Sequence, residues 1–250
     1  MRLPVLPAVA AAGLLIWVAG VAAPEPDEPV GPARQLSGLT PFQEARVQRM
    51  LRSRVACMGC HRIGGEGGLI GPVLGGIGER ATPDYVLAMI RDPSRVLPGT
   101  IMPAQPMAER DAERLAAYLL SVEPGREPSA PDVAPRAPPA ISESERLDGA
   151  ALYARHCAAC HGSEGRGDGW NAPALPVPPT AHADAELMSQ RPDDTLFDAI
   201  AGGAWVLDGS PMMPPFGEML SAEQIRALVG HIRSLCACQG PAWSRDGVGR

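Results

Sequence analysis

The chain has 250 residues and a net charge of −6, and it contains no lysine, so its 22 basic side chains are all arginines. Gly and Pro stand at 28 each, against only three Phe, three Tyr and four Trp. So few aromatics exclude an ordinary aromatic-filled core for one or two domains of this length, and a cofactor or crosslinks must supply the missing volume; the acidic balance carries no expectation of a nucleic-acid partner.

The amino end reads Met1-Arg2, an apolar run from Leu3 to Val21, then Ala22-Ala23-Pro24. One positive charge, an apolar stretch and a small-residue end are the features of an export signal. The run is also close to the ~20 residues that span a bilayer. Cleavage after Ala23 and retention as an N-terminal anchor both fit residues 1–23, and in either case the rest is delivered outside the cytoplasm, to the periplasm or its equivalent. Membrane contact is expected only through such an anchor. Residues 24–39 are polar and Pro-rich and read as a linker.

Thr40-Pro41 opens a helix, with Thr40 as N-cap and Pro41 in the first turn. It leads to Cys57-Met58-Gly59-Cys60-His61. A Gly-rich loop follows, then Gly71-Pro72-Val73-Leu74, a helix start at Pro83-Asp84, a Met102-Pro103 pair, and an amphipathic helix from about Ala108 to Ser121. These features define a first domain over residues 40–122. From Glu123 to Ala140 there are six prolines and little that is apolar, so residues 123–140 form a linker. Extended at ~3.1 Å per residue, it would reach on the order of 50 Å. The two domains are then either tethered without a fixed interface or folded back onto each other.

The second domain, residues 141–238, repeats the first. Ser142 with Glu145 reads as a capping box for a helix running to about Arg155. Cys157-Ala158-Ala159-Cys160-His161 follows, then a Gly-rich loop and Ala172-Pro173-Ala174-Leu175. Pro192-Asp193 starts another helix, Met213-Pro214 pairs again, and Ser221 with Gln224 caps a last helix from about Ala222 to Leu235. Residues 239–250 are a tail.

The chain has six cysteines, and in an exported chain the default reading is three disulfides. The spacing argues otherwise. C-x-x-C-H occurs twice, and it is the attachment signature of c-type haem. Cys57 and Cys60, and Cys157 and Cys160, would form thioethers to a haem each, with His61 and His161 as proximal iron ligands. Two covalent haems with their irons would also fill the cores that the aromatics cannot. Cys236-Ala237-Cys238 is left over; a disulfide within the pair or to another chain is expected, with copper or redox chemistry as the alternative. His156 and His182 read as surface or loop histidines rather than alternative iron ligands.

Residues 40–121 and 141–235 together resemble two tandem class I cytochrome c domains. The resemblance rests on the two C-x-x-C-H motifs, on Asp92-Pro93-Ser94-Arg95-Val96-Leu97-Pro98-Gly99-Thr100-Ile101-Met102-Pro103, and on Met213-Pro214-Pro215-Phe216 with the helix after it. It implies a mostly α fold, two helical domains each wrapped around a covalent haem. It implies Met102 and Met213 as the sixth iron ligands. It also implies that His61 is held by the carbonyl of Pro72 and His161 by that of Pro173. The second domain has the family's Gly-x-x-x-aromatic pattern at Gly149 and Tyr153, with His231 in place of the aromatic of the last helix; the first domain lacks the first-helix pattern, but Tyr118 fills the aromatic's place in its last helix.

Such a chain carries single electrons between a redox donor and a redox acceptor, free or as the cytochrome subunit of a respiratory or dehydrogenase complex. It is not itself expected to be an enzyme. The alternative is a diheme peroxidase-like or other catalytic cytochrome with one open haem, against which the matching Met-Pro pairs argue. Charge separates the halves: ten Arg against eight acids over 40–121, six Arg against thirteen acids over 141–235. Arg46, Arg49, Arg52 and Arg54 cluster before the first motif, so the first domain is expected to dock an acidic partner and the second a basic one.

Overall fold

The structure, a computed structural model, describes residues 38–124, 142, 145–207 and 209–244. The expected signal or anchor, most of both Pro-rich linkers and the end of the tail lie outside the described residues. Among the described residues no helix is long and apolar enough to cross a membrane.

The first half is built from α1 (Pro41–Ser53), α2 (Cys57–Cys60), α3 (Pro83–Arg91), α4 (Pro93–Val96) and α5 (Glu109–Ser121). Local chemistry starts three of them. Thr40 accepts from Gln43 N while Gln43 Oε1 accepts from Thr40 N, a full capping box. Thr82 caps α3, which has Pro83 in its first turn, and Asp92 caps α4 through Arg95 N. The apolar faces of α1 (Val47, Leu51), α3 (Val86, Leu87, Ile90) and α5 (Ala112, Leu115, Ala116, Leu119) meet in one cluster. The Gly-rich loop is a small hairpin: β1 (Arg62–Ile63) pairs antiparallel with β2 (Glu66–Gly67), Arg62 opposite Gly67. Its two-residue turn, Gly64-Gly65, has φ of 61° and 86°, the conformation that tight hairpins demand and that glycine adopts without steric cost.

The second half contains α6 (Gly149–His156), α7 (Ala158–His161), a 3₁₀ turn at Ala172–Ala174, α8 (Ala185–Ser189), α9 (Asp193–Gly202) and α10 (Ala222–Cys236). Ser221 and Gln224 form the expected capping box of α10. Ser142 and Glu145 do hydrogen-bond to each other, but they do not start α6. The helix begins at Gly149, where Asp148 accepts from Ala150 N and Ala151 N. The reason is tertiary. Gln224 at the start of α10 donates to Arg146 O, pinning the turn before α6, and Gly149 sits at the crossing, where a Cβ would lie 2.2 Å from Ala227 O. At the same crossing Tyr153 packs its ring against His231, centroids 5.0 Å apart, so His231 fills the aromatic's place.

The first half makes the corresponding contact without a glycine, and Tyr118 of α5 packs on the same cluster. There Val47 and Leu51 of α1 pack in one cluster with Leu115 and Leu119 of α5, and Arg46 reaches Asp111 at 3.2 Å. Being exposed, that ion pair is worth at most about 1 kcal/mol.

The leftover cysteines are bonded to each other, Cys236 to Cys238, around Ala237 at φ 47°, which ends α10 in the left-handed conformation. The two halves are folded against each other rather than merely tethered: Met212 of the second half is buried in the apolar cluster of the first, with Leu175 packed beside it.

Candidate functional site

Each C-x-x-C-H motif is a single helical turn, and the turn places its histidine. His61 N donates to Cys57 O at 2.8 Å, and His161 N to Cys157 O at 2.9 Å. Both imidazoles are buried. His61 Nδ1 lies 2.8 Å from Pro72 O, the partner that the resemblance implies. A carbonyl only accepts, so Nδ1 carries the proton and Nε2 keeps its lone pair. Gly71 makes this packing possible, because a Cβ there would lie 2.3 Å from His61 Cε1.

The second site departs from expectation. His161 Nδ1 lies 2.9 Å from Thr180 O, not from the carbonyl of Pro173. The loop here is longer by several residues, and the 3₁₀ turn at Ala172–Ala174 takes up Pro173. The chain returns to the histidine only at Pro179-Thr180. The result for the imidazole is the same: Nδ1 donates and Nε2 keeps its lone pair.

Burial pushes both histidines below the ordinary imidazole range, opposed by their carbonyl partners, so both are held neutral. Burial also pushes the thiols up, Cys57 to about 11 and Cys157 to about 12. Cys60 is pushed to about 12, chiefly by burial and then by repulsion from Cys160 and Cys57. Cys160 is likewise raised by burial, with Asn171 opposing. These are neutral thiols beside neutral imidazoles. Among the described residues no three His, Cys, Asp or Glu side chains converge to hold a bare metal ion.

The methionines stand in Pro-bounded loops. Met102 is half-buried, with its N–H donating to Thr100 Oγ1 at 3.1 Å. Met107, five residues on, packs on the first apolar cluster as a filler. In the second half the adjacent pair is split between the halves. Met213 packs on the second half's own cluster, as Cys157 does, while Met212 is buried in the first half's cluster. The Met213 loop is held to the end of α9 by Phe216 N donating to Ile200 O and Gly217 N to Ala201 O, both at 2.9 Å.

His182 is not a surface histidine. It is buried and stacked on His161, ring centroids 4.1 Å apart and planes 14° from parallel. Its Nδ1 lies 3.0 Å from the Tyr153 hydroxyl. Burial, then repulsion from His161, Arg191 and His231, pushes His182 down to about 2, so it stays neutral. His156 is half-buried at the end of α6, beside Phe216, and burial pushes it down to about 4. No local sequence signal marks Thr180, His182 or the buried Asn171 as site residues, because each is brought in from a distant part of its loop.

The donor set fits a covalently attached haem. Each half offers two half-buried neutral thiols on one turn, an adjacent imidazole with Nε2 as its lone-pair nitrogen, and a half-buried methionine in a loop. The family described as Cytochrome c matches residues 53–123 and again 147–236, well over half of the chain. The chain belongs to the cytochrome c family.

This cytochrome is 38% identical over 87 residues to "Cytochrome c oxidase subunit 2" of Alkalihalophilus pseudofirmus (strain ATCC BAA-2126 / JCM 17055 / OF4), a match that covers 31% of this chain and 25% of that subunit. Among solved structures it is similar to "KustC0563 c-type cytochrome", at 30% identity and a TM-score of 0.27 over 35% of this chain and 96% of that one. It is also similar to a chain of the Kuenenia stuttgartiensis reducing HAO-like protein complex Kustc0457/Kustc0458, at 22% identity and a TM-score of 0.30, over 71% of this chain and 78% of that one. Family membership makes the protein an electron-transfer cytochrome with covalent haem c, whose partners are redox proteins.

Proposed function

We propose that this cytochrome carries two haems c, on Cys57 and Cys60 and on Cys157 and Cys160, with the irons held by His61 and Met102 and by His161 and Met213. It relays single electrons between two redox proteins outside the cytoplasm, free or as the cytochrome subunit of a larger complex. The observation that carries this reading is the repeated arrangement of thiols and oriented imidazole. In each half, a carbonyl holds Nδ1 and points Nε2 away as a ligand atom, from Pro72 in one and Thr180 in the other. Such a hydrogen bond fixes the tautomer and raises ligand basicity.

Bound haem supplies one-electron iron chemistry, and a thioether ligand favours the ferrous state. The chain's own residues do the rest. The cysteines and histidine would hold the group on one turn of helix, and the methionine would be its second protein ligand. With histidine and methionine both bound, the iron would offer small oxidants no open site. Delivery outside the cytoplasm rests on the signal-like residues 1–23, and the domain limits 40–122 and 141–238 on the repeat.

A redox titration of the purified protein with low-temperature spectroscopy tests the reading. The expected result is two low-spin haems with His/Met ligation, two potentials, and no rapid carbon monoxide binding by the reduced protein. A single haem, or fast stoichiometric carbon monoxide binding at one centre, overturns it in favour of a catalytic cytochrome.

Charge supports separate docking faces for donor and acceptor. Arg46, Arg49, Arg52 and Arg54 are all exposed, although Arg46 pairs with Asp111 and Arg52 with Glu66. Electron transfer to an acidic protein at the first half is expected to slow by roughly tenfold or more from low to high ionic strength. A rate independent of salt refutes steering.

A further inference from the structure

Asn171 is fully buried, with 0% of its surface exposed. Its backbone belongs to the second half, where its N–H donates to Ala159 O at 2.9 Å. Its side chain leaves that half. Nδ2 donates to Gly59 O at 2.9 Å, and Oδ1 accepts from Leu69 N at 2.7 Å. Nδ2 also lies 3.3 Å from Cys160 Sγ. The amide orientation follows from its partners, since the reverse would set oxygen against the Gly59 carbonyl and NH₂ against the Leu69 N–H. Gly59 is the third residue of the first C-x-x-C-H motif and Cys160 the fourth of the second. One buried amide therefore touches both attachment peptides.

The surrounding contacts are equally close. A Cβ on Gly59 would lie 2.0 Å from Met212 O, and one on Gly68 would lie 2.2 Å from Gly59 O and 3.0 Å from Asn171 Oδ1. Backbone of the second half thus lies directly on the first attachment turn. Met212 fills the first half's cluster next to this point, and Arg155 Nη2 donates to Gly99 O at 2.8 Å. A buried polar group that is fully paired across an interface specifies one arrangement, because any slip leaves several partners unpaired in a dry site.

We propose that Asn171 is the joint that holds the two halves with their attachment peptides face to face, and that this fixed arrangement sets the rate of electron exchange between the two centres. The exchange moves one electron from the reduced centre to the oxidised one, with no proton or bond change. Electron transfer falls steeply with distance. Halves joined only by a Pro-rich tether would exchange at the rate of their chance approach, whereas halves locked at this joint exchange at a constant short separation. Asn171 is a positioning residue in this scheme: it carries no electron-accepting group. The proposal rests on the reading of two haem centres.

The test compares the full-length holoprotein with Asn171→Asp, which sets a carboxylate against the Gly59 carbonyl. A second variant, Gly59→Ala, drives a methyl into Met212 O. Ala159 occupies the same place in the second motif, so alanine there is compatible with attachment. In both variants each centre is expected to keep its absorption spectrum. The radius of gyration should rise, exchange of the Leu69 amide hydrogen should speed by about tenfold or more, and electron exchange between the centres should slow by about tenfold or more and become viscosity-dependent. Unchanged scattering and Leu69 protection in both variants overturn the joint. Halves that open without slowing the exchange overturn its electronic role. A single haem in the redox titration refutes the two-centre reading instead, and leaves the scattering and hydrogen-exchange results to decide the joint alone.

Discussion

Met213→Ala is expected to remove the sixth ligand of the second centre and lower its reduction potential by roughly 0.2 V, a fraction of the ~0.8 V range that axial ligands command. The reduced variant should then bind carbon monoxide at that centre alone. Met212→Ala is expected to leave ligation and potential unchanged. The distinction follows from where the two side chains go. They are adjacent in a Pro-bounded loop, but Met213 packs on the second half's cluster, as Cys157 does, whereas Met212, 8% exposed, is buried in the first half's cluster. Met212→Ala should instead loosen the contact between the halves, at a cost of about 2–4 kcal/mol for a buried methionine truncated to alanine. Spectra and potentiometry of the two variants decide the matter. If Met212→Ala abolishes Met ligation and Met213→Ala does not, the assignment is reversed.

Tyr153→Ala should be the most destabilising single change in the second half. The side chain is 1% exposed and lies at the crossing of α6 and α10, against His231 and His182. Removing a buried aromatic costs about 3–5 kcal/mol. Tyr153→Phe keeps the ring and loses only the hydroxyl, which leaves His182 Nδ1 without its 3.0 Å partner in a buried site, at about 1–3 kcal/mol. Denaturant unfolding of the holoprotein measures both. Because His182 stacks on His161, both variants should also shift the potential of the second centre and not of the first. Equal shifts at both centres, or a Tyr153→Ala cost below about 1 kcal/mol, refute this account.

Features carried by neighbouring residues can be read directly from the chain. Thr40 and Gln43, and Ser221 and Gln224, form capping boxes because the partners lie three residues apart on one turn of helix. The C-x-x-C-H motifs each fold as one turn for the same reason, which sets two thiols and the histidine close together. Ser142 and Glu145 show the limit of such reasoning: the local bond forms, yet the helix starts at Gly149, where contact with α10 decides.

The two helical halves, the two C-x-x-C-H motifs and the Met-Pro loops are all written in the amino-acid sequence, as short-range patterns repeated twice. What holds those groups is a matter of tertiary packing. Thr180 in place of Pro173 behind His161, His182 stacked on that ring, Met212 crossing to the first half, and Asn171 between the attachment peptides all depend on segments distant along the chain. Spacing encodes which residues share a turn. It does not encode which loop closes over a buried imidazole, because that depends on how whole faces pack and on which carbonyl is left in reach.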